Sequence, residues 1–104
     1  MKISIESVET GGKPAQGISF SWSDGQFVLI LTDNGFVGCG AFDLEVMNEF
    51  NMACAIAKGT PEKPLKVPED LLGANIVAVS EKAAKMGVKE GMSGKEALEI
   101  IAGT

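Results

Sequence analysis

Ile18-Ser19-Phe20-Ser21-Trp22-Ser23-Asp24-Gly25-Gln26-Phe27-Val28-Leu29-Ile30-Leu31-Thr32-Asp33-Asn34-Gly35 sets the fold class of this chain. Ile18, Phe20 and Trp22 alternate with serines, the pattern of a strand buried on one face. Asp24-Gly25 reads as a two-residue hairpin turn of type I′, which needs positive φ at both central positions. Gln26 to Thr32 is an almost unbroken apolar run, expected to form a central strand covered on both faces. Asp33-Asn34-Gly35 marks a second hairpin turn, after which Phe36 to Ala41 forms a further strand. Upstream, Lys2 to Val8 alternates in the same way, with Ile3 and Ile5 opposite Ser4 and Glu6 in facing, and Thr10-Gly11-Gly12-Lys13-Pro14 supplies a turn. The first half of the chain therefore reads as an antiparallel meander.

The second half changes period. Asp43 is a natural N-cap, and Val46, Met47, Phe50, Ala53 and Cys54 fall on one helical stripe, with a short strand expected at Ala55 to Ala57. Thr60 to Pro68 is a proline-bearing loop, and Pro68 opens a short helix over Glu69 to Leu72 that Gly73 closes. Asn75 is read as the cap of a helix placing Ile76, Val79, Ala83 and Met86 on one face, ended by Gly87. Ser93 and Glu96 form a capping box for a last helix with Leu98 and Ile101 inward. Strands first and helices afterwards indicate an α+β domain, a meander packed against C-terminal helices, with residues 1–104 as one unit.

Composition excludes several kinds of chemistry. The 104 residues carry a net charge of −5, with no basic run, which disfavours nucleic acid and anionic lipid as partners. The longest apolar run is too short to span a bilayer, and the N-terminus lacks a signal-peptide core. There is no histidine and no tyrosine, so the chain cannot build a Ser-His-Asp set, a Cys-His pair or a histidine-ligated metal site. Two cysteines are too few for a disulfide framework and fit reduced thiols in the cytoplasm. No cofactor is indicated.

The candidate site lies in Gly35-Phe36-Val37-Gly38-Cys39-Gly40-Ala41-Phe42-Asp43, where an apolar strand runs into a helix start. A thiol beside helix-terminal N–H groups is favoured as thiolate, so Cys39 is the candidate catalytic or redox residue. Its alternative role is that of a small buried hydrophobe. Gly38 and Gly40, on one face of the strand, would leave a bare backbone floor for a ligand beside Asp43, or a surface for tight internal packing. Cys54 reads as packing. The Gly38-to-Asp43 run lacks the third glycine of a dinucleotide fingerprint, and Gly94-Lys95 lacks the rest of a phosphate-binding loop. Asp24, Asp33 and Asp43 are explained by turns and caps, Glu45 and Glu49 by a solvated helix face.

Gly35 to Leu44 with Met47-Asn48-Glu49, Asp70-Leu71-Leu72, the Val79 to Gly87 segment with its paired alanines, and Gly91-Met92-Ser93-Gly94-Lys95-Glu96-Ala97-Leu98 are similar to corresponding segments of the YunC-like family. The similarity runs from about the second strand onward, while the first strand and the Thr60 to Pro68 loop are more individual. That family consists of bacterial and archaeal domains of unknown function. The resemblance implies an α+β fold and a cytoplasmic setting, and brings no catalytic residue with it. The expectation is a non-catalytic module that binds a small molecule or a protein and forms a homo-oligomer through surface around Phe20 and Trp22, on what would be an edge strand. A thiol-dependent enzyme or redox sensor built on Cys39 is the alternative.

Overall fold

The computed structural model describes residues 1–11 and 13–103. In chain order it contains β1 (Lys2–Thr10), β2 (Lys13–Trp22), β3 (Gly25–Leu31), β4 (Phe36–Gly38), α1 (Leu44–Glu49), β5 (Cys54–Lys58), α2 (Pro68–Leu72), β6 (Asn75–Val79), α3 (Glu81–Met86) and α4 (Gly94–Gly103). All six strands join one sheet in sequence order, β1-β2-β3-β4-β5-β6. Every pairing is antiparallel except β4 with β5. The fold is α+β, with the expected meander at its start. Gly12, placed in the first turn by the sequence, lies outside the described residues.

Both later meander turns differ in detail from a simple hairpin. Trp22 pairs with Gly25, so the turn is Ser23-Asp24, one residue earlier than expected, and neither Asp24 nor Gly25 has positive φ. What calls for glycine at 25 is the Trp22 ring, which would meet an added Cβ at 2.8 Å. In the next turn Thr32, 8 % exposed, donates its hydroxyl to Gly35 O at 2.8 Å and accepts from Asn34 N and Gly35 N. Asn34 then reaches across with its side-chain amide to Ile101 O at 3.2 Å, tying the turn to the end of α4.

The helical layer covers one face of the sheet. Val28, Ile30, Val37, Ala55 and Ala57 are fully buried there beneath Leu71, Ala97, Leu98 and Ile101. Placement of α2 and α4 rests on their ends: Asp70 accepts from Lys66 N and Val67 N, and Ser93 and Glu96 exchange reciprocal bonds with each other's backbone N–H. The expectation that the third strand is covered on both faces does not hold. Val28 and Ile30 are sealed, but Leu31 on the opposite face is 42 % exposed.

Three further boundaries differ from the sequence reading. The fourth strand ends at Gly38 instead of Ala41. The helix after Asp43 has only six residues, because Asn51 adopts a left-handed backbone (φ 55°) and turns the chain back. Ala53 and Cys54 therefore leave the helical stripe, and Cys54 opens β5, whose residues up to Ala57 are buried on both faces. Asn75 starts a strand and caps no helix; the cap is Ser80, whose buried hydroxyl accepts from Ala83 N at 3.2 Å and from Cys54 N at 2.9 Å. A run apolar on every side suits a buried strand as well as a helix, and periodicity alone does not separate them.

Candidate functional site

The strand-to-helix segment parts its residues between the two faces of the sheet. Cys39, 9 % exposed, lies in the core on the helix-covered side: its N–H donates to Val28 O at 3.1 Å and its Sγ accepts from Val28 N at 3.5 Å. Asp43 caps α1 by accepting from Glu45 N at 3.0 Å, so its own carboxylate takes up the helix terminus, four residues beyond Cys39. Gly38 faces the other side, where the Phe42 ring lies over it; an added Cβ would stand 2.7 Å from that ring. Gly40 is exposed, with no heavy atom within reach of an added Cβ. Gly38 and Phe42 are thus brought together, while Cys39 and Asp43 point to different surroundings. The second thiol, Cys54, is fully buried, and burial pushes its pKa up while the Ser80 hydrogen bond pulls the other way.

On the face away from α2 and α4, the register assembles continuous rows. Ile5, Ile18, Leu29, Gly38, Ile56 and Ala78 stand side by side across the sheet. Ile3, Phe20 and Phe27 form the next row, and Ser7, Gln16, Leu31, Phe36 and Cys54 another. Phe42, Leu44 and Met47 cover the β4–β6 part of these rows. The β1–β3 part has no such cover: Ile3 is 61 %, Ile5 64 % and Trp22 47 % exposed. Glu9, at one corner, is the single charged side chain that the alternation of β1–β3 places on this face.

Aromatic rings hold this surface in shape. Phe27 touches Phe20 (centroids 4.7 Å), Trp22 (5.7 Å, edge-on) and Phe42 (6.2 Å), and Phe42 continues to Phe36 at 5.0 Å. The chain of rings links the bare half to the covered half through favourable tilted and edge-on contacts. A cavity of about 300 Å³ opens beside it, lined by Met1, Ile3, Phe20, Trp22 and Phe27 among others. The sequence reading singled out Phe20 and Trp22 but placed them on an edge strand. They sit on β2, paired on both sides, and the edge is β1. Ile3, Ile5 and Leu31 carry no separate signal of a contact surface, because each belongs to an ordinary alternating or apolar run.

The other face of β1 carries polar groups. Glu6 lies beside Glu69 of α2, and a hydrogen bond between the two carboxyls raises the Glu6 pKa, with desolvation and then mutual repulsion adding to it. A wider cleft of about 730 Å³ lies between the Thr60–Pro64 loop and the end of α2, lined by Lys58, Lys63, Lys66, Glu62, Glu69 and Asp70 with neighbouring backbone. Its charges are mixed, and Asp70 is already engaged by backbone N–H groups. Among the described residues no group of three or more cysteine, aspartate or glutamate side chains is placed to hold a metal ion, and no helix is long and apolar enough to cross a membrane.

Fold and surface together define a small α+β domain with one helical layer and a half-covered second sheet face. Residues 38–101 match the family described as a domain of unknown function (DUF1805), and the chain belongs to that family. The chain is similar to the uncharacterized protein YunC of Bacillus subtilis (strain 168), with 28 % identity over 96 residues that cover 92 % of this chain and 94 % of the relative. Its fold matches the crystal structure of a protein of unknown function, TA1206, from Thermoplasma acidophilum, with TM-score 0.85 and 24 % identity over 96 % of this chain and 93 % of that one. The YunC-like resemblance read from the sequence therefore holds. The matched family segment contains Gly38, Cys39, Gly40 and Asp43, whereas the bare face is carried by residues before it.

Proposed function

We propose that this chain is a non-catalytic protein-binding module whose working surface is the bare β1–β3 face. The observation that carries this reading is the row pattern: large apolar side chains, several more than 40 % exposed, on one sheet face with its one charge at the corner. Contiguous exposed apolar patches larger than a few hundred Å² on soluble proteins mark interaction sites. The partner this chemistry selects is a protein presenting an uncharged apolar surface. A small molecule is less well served, because ligand sites enclose most of their ligand, while here the space above Gly38 is taken by Phe42.

The thiol reading has less support, since Cys39 is packed beneath β3 and the sequence offers no histidine as a base. Photo-crosslinking in cells tests the binding surface. A photoreactive residue at position 18, on the bare face, should give protein adducts that the same residue at position 82, on exposed α3, does not. Absence of any protein adduct from position 18 removes the proposal.

A further inference from the structure

The two edges of the sheet are finished differently. At β6 the chain closes its own edge: Ile76 N donates to Met92 O and Gly91 N to Ile76 O, both at 2.8 Å, and Asn75 bridges to Ser93. At β1, among the described residues, no strand or loop is hydrogen-bonded to the outer edge. β1 is nine residues long, contains no proline, and pairs with β2 without a register shift. A long regular strand with one free side is a template for another strand, which proteins block or use.

The side chains of β1 select one way of using it. In an antiparallel pair of identical strands, a two-fold axis perpendicular to the sheet keeps odd residues opposite odd and even opposite even. With the axis through Ser4, Lys2 stands opposite Glu6 of the second copy, Ile3 opposite its Ile5, and Ser4 opposite Ser4. Each Lys–Glu and Ile–Ile match occurs twice. Shifting the axis to Ile5 sets Lys2 against Val8, and shifting it to Glu6 sets two glutamates face to face. Opposite charges directly across a ladder stabilise it and like charges destabilise it. Glu6 also stands beside Glu69, and Lys2 of a second copy would bring a cation to that pair.

We propose that two copies of this chain pair antiparallel through β1, about a two-fold axis at Ser4, with Lys2 of each copy facing Glu6 of the other. The sheet becomes twelve-stranded, and Ile3 and Ile5 of both copies join the two bare faces into one apolar floor. Five to seven residues per strand make a small interface, so the dimer is weak and concentration-dependent. The pairing uses backbone and charge, and is separate from the use of the bare face, since Ile18, Phe20 and Leu29 lie on other strands.

Sedimentation equilibrium of the full chain, from about 10 μM to about 1 mM, should show a monomer–dimer equilibrium. Lys2→Glu and Glu6→Lys should each weaken it about tenfold or more, because each places like charges across the ladder twice. The double variant, which swaps the charges, should restore dimerisation. Both positions are exposed, and far-UV circular dichroism verifies that the variants fold. A monomer throughout, an equilibrium unmoved by the single reversals, or a loss that the double variant fails to rescue overturns the proposal. A dimer abolished by Ile18→Lys and indifferent to Lys2→Glu overturns it in favour of face-to-face packing, and still leaves the bare face as the binding surface.

Discussion

The two halves of one sheet face carry similar apolar residues, yet only one half is covered. Over β4–β6, Phe42, Leu44 and Met47 lie against Phe36, Cys54 and Ile56; over β1–β3, Ile3, Ile5 and Trp22 stand in the open. The difference follows from how the strands are joined. Antiparallel neighbours need only a tight turn, which adds no covering. The parallel neighbours β4 and β5 need a crossover, and the chain from Cys39 to Ala53 brings Phe42 and α1 over the sheet as it returns. A meander thus exposes whatever face its own chain does not come back to cover, and an apolar face left in that way is available to another molecule.

The sharpest test of that contrast compares neighbours on β3. Ile30→Ala removes a fully buried side chain beneath α4 and should cost about 3 kcal/mol in urea unfolding. Leu31→Ala, one residue on and on the bare side, should cost no more than about 0.5 kcal/mol. Comparable losses would mean that the β1–β3 face is packed in solution. Next in size is Phe42→Ala, which uncovers Gly38 and breaks the ring chain between Phe27 and Phe36; a loss of about 2 kcal/mol is expected. It should also raise fluorescence of a bound apolar dye as the bare area extends across the sheet. Unchanged dye binding would show that Phe42 does not divide the two halves.

The last expectation concerns Cys39. Because it is packed beneath β3, iodoacetamide should modify it in the folded protein roughly a hundredfold more slowly than in urea, in step with Cys54. Rapid modification of Cys39 alone would place a reactive thiol at the surface and revive the redox reading. Burial, and not a general inertness of thiols, is what the comparison with the urea-unfolded chain isolates.

Legibility in the sequence varied with the kind of signal. The meander was readable because alternation in Ile18 to Trp22 and the Thr32–Gly35 turn are local patterns. The helices opened by Pro68 and by the Ser93–Glu96 box were readable because caps are short-range chemistry. Ala55 to Ala57 reads as the strand it is, whereas Cys54 and Asn75 to Val79 read as helical, since their strand state rests on neighbours far away in the chain. Ser80, which serves as helix cap and also accepts from Cys54 N, gave no signal beyond being one serine among many. Phe20 and Trp22 drew notice as a contact surface, but their place on an inner strand depended on where β1 docked.

By itself the sequence determined the strand and turn pattern of the first half, the helix starts at Asp43, Pro68 and Ser93, and the absence of histidine-based chemistry. These are properties of residue type and near-neighbour spacing. Only the tertiary structure decided which face of the meander the helices would cover, which strand would be left at the edge, and that Cys39 would turn inward while Phe42 closed over Gly38. Those outcomes depend on pairings between distant segments, where burying one apolar row against the helices leaves the alternate row of the same strands to face outward.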